Sequence, residues 1–307
     1  MELSNVKEII TPQGNLKKIL RGDVVIWSKK ASDLKYTIWK NGELIDRITM
    51  SQFVNKIQNG DAQTDYGIGA QIMIPYTDPF NDVTYDCPFN FGTFTQYPGK
   101  LGLQTHYALP SKAVAYGTVT IGNTINSSSN WETSYIYHWL NTSGISYSSK
   151  NFNGKNGFLS CLPADFVNRL QDIPTGKSET PSKFFLLTAT QYYVDTELIT
   201  VEKPTNTSKG NNINCFDLEH EKEAWEYWIN RISSPQICLK TTNDRIIYSL
   251  SDNKAANIVT ITPGRKILYK SGVSAQYTNG LYYFSVNGSC NIGSATNFKY
   301  QPACVIG

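Results

Sequence analysis

Residues 129–171 carry two consecutive helix signals, and they constrain the fold more than any other stretch of the chain. Ser129 and Glu132 have the spacing of a capping box, in which two amides at a helix start are satisfied reciprocally. Behind them Tyr135, Ile136, Trp139 and Leu140 recur at three- and four-residue steps, which puts them on one face of a short helix over 131–140. Asn141 and Gly144 end it. A second helix is expected over 163–171, with Pro163 in its first turn and Phe166, Val167 and Leu170 on its buried face. Flanked by Gly- and Ser-rich segments, this pair reads as the packed centre of an otherwise β-rich domain.

The composition agrees. Of 307 residues only 17% are charged, 12% are aromatic and 19 are Tyr, with Asn, Ser and Thr filling most polar positions. A disordered chain carries more charge and fewer aromatics, so this is an ordered, turn-rich β surface. The net charge of +3, with no dense Lys/Arg run, argues against nucleic acid or an anionic membrane as a partner. No apolar run approaches the ~20 residues of a membrane helix. Met1, Glu2, Leu3 and Ser4 do not open a signal peptide, so folding in a cytoplasm is expected. Cys87, Cys161, Cys215, Cys238, Cys290 and Cys304 lack CxxC spacing and read as mostly reduced, buried thiols.

Residues 1–30 form a separate small β unit. Strands are expected over 6–10, 16–20 and 24–27, with a Pro-Gly turn at 11–14 and Arg21-Gly22-Asp23 as a tight turn rather than an adhesion signal. Three such strands are marginal alone and need something else to pack on, such as another subunit. Residues 29–33 form a polar linker. Asn41-Gly42, between alternating runs at 36–39 and 44–48, is a hairpin signal. Thr49 and Gln52 form a second capping box, with Met50, Phe53, Val54 and Ile57 lining a helix over 50–58. From 71 to 116, short strands are expected between Pro75, Pro79, Pro88, Pro98 and Pro110. Asp78, Asn81, Asp82 and Asp86 follow no calcium-loop spacing and read as a solvated acidic loop. Residues 184–187 read as a buried strand. Asp217 caps a helix over 218–230, with Leu218, Trp225, Trp228 and Ile229 on one face. Later strands fall at 246–250, 256–262, 266–269 and 281–286, and the apolar run at 298–306 completes a sheet.

Catalytic chemistry finds little support in these residues. His106, His138 and His220 are the only histidines; there is no G-x-S-x-G, and no histidine has a metal partner at helical spacing. A glycosidase pair among the carboxylates cannot be picked out from sequence. No catalytic residue, metal ligand set or cofactor is assigned.

Two resemblances rest on the segments just described. The pattern VKEIITPQGNLKKILRGDVVIW (6–27) resembles the N-terminal module of tail and appendage proteins from phages of Gram-positive hosts. Four blocks resemble an uncharacterised domain family of phage and prophage proteins: WETSYIYHWLN (131–141), LPADFVNRL (162–170), FFLLTATQYY (184–193), and YWINR (227–231) answered by YQPACVIG (300–307). Gln301 stands where that family has Arg. The layout is similar to the C-type-lectin-like fold, which implies an α+β, C-type-lectin-like domain over 33–307 behind the small N-terminal β unit. It also implies paired N- and C-terminal strands and a display face built from late strands and loops.

The function implied is that of a structural, non-enzymatic bacteriophage virion protein of the tail, baseplate or another surface appendage, assembled in the bacterial host cytoplasm. Residues 1–30 would anchor it to other virion proteins, as a homo-oligomer. A head decoration or head fibre role is the variant within that class. The display face falls at 279–297, where a host-surface glycan or protein would bind. There Tyr282 and Tyr283 lie on opposite faces of a strand, and Asn279, Asn287, Asn291 and Asn297 sit on adjoining turns. The alternative is a prophage-encoded enzyme acting on glycans or protein cysteines. The same architecture hosts an oxidase that makes formylglycine with paired thiols, but Cys290 and Cys304 lack a recognisable flanking motif and read as structural.

Overall fold

The computed structural model describes residues 34–109 as one block, most of 135–195, 223–237, 244–263 and 299–307, and short strands within 10–28 and 281–293. The fold is mixed α+β, dominated by sheet. Seven strands form one antiparallel sheet: β1 (Lys35–Lys40), β2 (Glu43–Thr49), β3 (Gln71–Thr77), β4 (Thr84–Thr93), β5 (Leu101–Thr105), β6 (Phe184–Leu186) and β7 (Pro302–Ile306). Their order is β6-β7-β5-β4-β3-β1-β2. Asn41 (φ 52) and Gly42 (φ 83) turn β1 into β2, the positive dihedrals that an Asn-Gly hairpin supplies cheaply.

Helix α1 (Met50–Gln58) starts at the expected capping box: the Thr49 side chain accepts from Gln52 N, and the Gln52 side chain accepts from Thr49 N. Its four apolar residues are buried. Short α2 (Asp61–Asp65) follows, tied back by an ion pair between Lys56 and Asp65. The remaining helices are α3 (Tyr135–Asn141), α4 (Ala164–Val167) and α5 (Glu226–Arg231), with a 3-10 turn at Phe158–Cys161.

The sheet is covered on both sides. Residues 87–93 of β4, all of β5 and all of β7 are buried, so the residues on both faces of these strands are shielded from solvent. On one face Phe53 of α1 meets Phe91 at 5.5 Å, Phe166 of α4 meets Phe89 at 5.6 Å, and Phe158 meets Phe184 at 4.9 Å. Helix α3 docks alongside through Asn141. Its Oδ1 accepts from Lys183 N (2.7 Å) and Phe184 N (3.0 Å), and its Nδ2 donates to Phe184 O (2.9 Å). On the opposite face the Trp225 indole lies flat against Gly92 and Gly102. A Cβ on Gly92 would sit 2.2 Å from Cε3 of that ring, so only glycine allows the approach.

Several sequence expectations are corrected. Pro163 is the N-cap of α4, not its first turn, and the helix stops at Val167 instead of 171. The sheet takes over the chain there: Leu170 bridges Ile306, and Gln171 N donates to Val305 O. Pro75 and Pro88 lie inside strands instead of breaking them. Pro75 sits where β3 has run past its pairing with β1, and Pro88 where the β5 ladder ends, so neither removes a needed donor. Helix α5 starts only after Trp225, and Ile229, expected on its buried face, is 43% exposed. The implied pairing of N- and C-terminal strands is not the one observed, because β7 pairs with β5 and β6. Residues 246–250 make isolated bridges, and the last strand begins at Pro302 rather than 298.

At the N-terminus Ile10–Thr11 pairs with Gly14–Asn15, and Lys18–Arg21 with Val24–Ser28. The expected strand residues 6–9, the linker 29–33, the Ser129–Glu132 capping pair, Asp217, Leu218 and the strand at 266–269 lie outside the described residues. Among the described residues no helix is long and apolar enough to cross a membrane.

Candidate functional site

A row of amides crosses the Trp225 face of the sheet where apolar residues would be the default. Gln71 on β3, Asn90 on β4 and Gln104 on β5 are successive register partners, so all three point to one side. Gln301, immediately before β7, closes the row. Its Nε2 donates to the carbonyls of Thr105 (2.7 Å) and His106 (3.2 Å). Its Oε1 accepts from Gln104 Nε2 (3.1 Å) and from the Tyr192 hydroxyl (2.9 Å). Gln104 in turn donates to the Tyr192 hydroxyl (2.8 Å) and accepts from the Trp228 indole (3.0 Å). Gln301 uses both donors and both acceptor lone pairs, and Gln104 both donors and one acceptor lone pair, which makes a buried network of this kind rigid and specific.

His106 follows β5 directly, and its backbone N donates to Pro88 O at 2.8 Å. Its Nδ1 lies 3.1 Å from both Asn90 Oδ1 and Gln71 Nε2. Burial, reinforced by the Arg231 charge, lowers its pKa to about 4, so the imidazole is neutral near pH 7. A neutral ring uses Nδ1 either to accept from Gln71 or to donate to Asn90, never both.

Above this row opens a pocket of about 100 Å³ bounded by His106, Gln301, Tyr227, Arg231 and Tyr248, with the buried Trp228 beneath. Arg231 sits one helical turn from Tyr227, donates from Nη1 to its hydroxyl (2.7 Å), and stacks over Tyr227 (5.9 Å) and Trp228 (5.7 Å). Its guanidinium is the only formal charge on the described lining. Donors, aromatic faces and a fixed cation suit recognition of a small polar or anionic group.

A second, more open pocket of about 280 Å³ lies between the 77–82 loop and residues 154–161. Asp78 there is buried, and its Oδ1 accepts from Phe80 N (2.9 Å), while Asn81 Oδ1 accepts from Val83 N (2.9 Å). These side chains serve their own turn. Among the described residues no group of three or more His, Cys, Asp or Glu is placed to hold a metal ion.

Of the display residues expected from sequence, Tyr282 and Tyr283 lie on the strand Leu281–Phe284, the middle one of a three-stranded sheet. Asn291 lies within the strand Cys290–Gly293 and pairs with Tyr283, not on a turn as expected; the ladder extends across the position. Asn279, Asn287 and Asn297 fall outside the described residues. Cys304 is buried inside β7 between Leu103 and Phe184, while Cys290 pairs with Phe284 in the other sheet. Burial raises the Cys87 and Cys304 thiols, and pushes Cys161 up to about 12. His138 packs against Tyr137, ring centroids 5.2 Å apart.

Sequence reasoning did not single out His106, Gln301 or Arg231 as a site. A signal was present: Gln71, Asn90 and Gln104 interrupt otherwise apolar strands, and Tyr227 and Arg231 are spaced to meet on a helix. No known protein family, curated protein or solved structure matches the chain.

Proposed function

We propose that the protein is a structural, non-enzymatic component of a bacteriophage particle, in its tail, baseplate or another surface appendage, whose large domain contacts the host surface. The observation that carries the host-contact part is the pocket beside His106. His106 and Gln301 adjoin the sheet strands, Tyr227 and Arg231 come from α5, and α5 is tied to the sheet by the hydrogen bond from the Trp228 indole to Gln104. Such an arrangement holds a ligand in one geometry without rearranging to do so. Its histidine, with a pKa lowered to about 4, is a weak base, and the described thiols are buried and protonated, which favours binding over nucleophilic chemistry.

The placement on a virion rests on the two sequence resemblances. In this reading residues 1–30 attach the protein to other virion proteins and to further copies of itself, and assembly takes place in the bacterial cytoplasm. The domain is then a variant of the C-type-lectin-like fold, with its C-terminal strand placed one strand in from the sheet edge. Residues 279–297 supply a second contact patch for a cell-surface glycan or protein. Weak contacts of this kind gain strength from several copies on one particle. Cryo-EM and antibody labelling of purified particles test the placement. Particles that lack the protein overturn it, and a particle carrying it with unimpaired adsorption after its removal overturns the host-contact part.

A further inference from the structure

The pocket beside His106 is selective in size and charge. Its volume of about 100 Å³ takes a small polar substituent against Arg231 and His106. The described lining carries a cation and no carboxylate. Arg231 commits Nη1 to the Tyr227 hydroxyl, and its planar fork has further N–H groups for a planar, two-oxygen acceptor. Gln301 is saturated by its four hydrogen bonds and acts as wall. His106 has Nδ1 engaged by the sheet amides, which leaves its other ring nitrogen for a ligand. At the rim Tyr248, 43% exposed, offers an aromatic face outside the cavity.

We infer that this pocket is a subsite for a carboxylate-bearing sugar, taking the carboxylate between Arg231 and His106 while the ring rests on Tyr248. The inference builds on the host-contact reading for the source of the sugar, and on the pocket alone for its chemistry. A bound carboxylate selects the tautomer in which His106 Nδ1 accepts from Gln71 and Nε2 carries the proton. That tautomer is directly visible in imidazole nitrogen chemical shifts.

The test titrates the full chain with glucuronate and galacturonate against glucose, galactose and acetate, following the His106 ring by NMR and heat by calorimetry. Expected are millimolar uronate binding, at least about tenfold weaker binding of the neutral sugars and of acetate, and a shift of His106 to the Nε2-protonated form. Arg231→Gln should weaken glucuronate at least about tenfold, and Arg231→Lys by less, because the charge stays while the fork is lost. Tyr248→Ala should weaken the uronates and leave acetate unchanged. The inference is overturned by equal affinity for glucose and glucuronate, by acetate binding as tightly as the uronates, or by no uronate binding at about 100 mM. It is also overturned if a correctly folded Arg231→Gln variant binds as wild type does. Should uronates fail while the protein still binds host cell walls, the ligand class falls and the proposed function stands. Should the protein be missing from particles while uronates bind, the reverse holds.

Discussion

Replacing Gln301 with Leu removes the residue that joins the amide row to the C-terminal strand, and the structure sets the scale of the loss. Four hydrogen bonds disappear. The Thr105 and His106 carbonyls each lose a donor but keep a second lone pair for other partners. The Tyr192 hydroxyl loses an acceptor, and Gln104 Nε2 falls back on Tyr192 alone. Two impaired donors at ~1–3 kcal/mol each, less some gain from burying an apolar side chain, give a cost of about 3 kcal/mol. Gln104→Leu should cost a similar amount, because it also strands the Trp228 indole. The two residues share a hydrogen bond and a common partner, so the double variant should cost about 1–2 kcal/mol less than the sum. Urea unfolding followed by tryptophan fluorescence reads this directly, with the midpoint moving and the slope constant. A loss below about 1 kcal/mol for Gln301→Leu, or additivity within ~0.5 kcal/mol, would refute the idea that the network acts as a unit.

Gly92→Ala drives a methyl into Trp225 and should destabilise by about 3 kcal/mol, partly recovered by Trp225→Leu; a neutral effect in the same unfolding assay argues against the contact. Asn141→Ala strips the clamp between α3 and β6 and should cost about 2–3 kcal/mol, with hydrogen exchange at Lys183 and Phe184 accelerated; unchanged protection there contradicts it. His106, whose folded pKa of about 4 lies below its ordinary 6.5, contributes stability that is complete above pH 6.5. That contribution is lost as pH falls through 4, because the unfolded chain takes the proton first. The difference in stability between wild type and His106→Gln should therefore change across that window and be flat above it; a constant difference contradicts the assignment. Cys87, Cys161 and Cys304 should resist a thiol reagent at pH 8 until denaturant is added, as mass spectrometry of labelled peptides can check.

What the sequence made legible is what local chemistry decides. Thr49 with Gln52, and Asn41 with Gly42, act through hydrogen bonds and dihedrals spanning four residues or fewer, and both sit where expected. The apolar run at 184–187 and the one at the C-terminus are strands because their residues are buried on both faces. Helix lengths were less legible, since distant partners set them. Leu170 and Gln171 leave the helical path to bond with Ile306 and Val305, residues more than a hundred positions away. Trp225 stays outside α5 because its ring is held over Gly92 and Gly102. The candidate site was hidden for the same reason: Gln71, Asn90, Gln104 and Gln301 become one network only once four strands are in register.

Strand β7 lies between β5 and β6, with Cys304 paired to Leu103 on one side and Phe184 on the other. Its position has a consequence for synthesis. Pro302–Ile306 emerges from the ribosome more than a hundred residues after Phe184–Leu186, and until then β5 and β6 present facing open edges with buried apolar side chains such as Leu101, Leu103 and Phe184. Between the synthesis of Leu186 and that of Pro302 the nascent chain thus carries a strand-wide slot in its core, and a fragment truncated between those residues keeps that slot permanently. Such fragments should recruit chaperones or aggregate by accepting strands from other chains, whereas a chain that extends through Ile306 closes the slot with Pro302–Ile306.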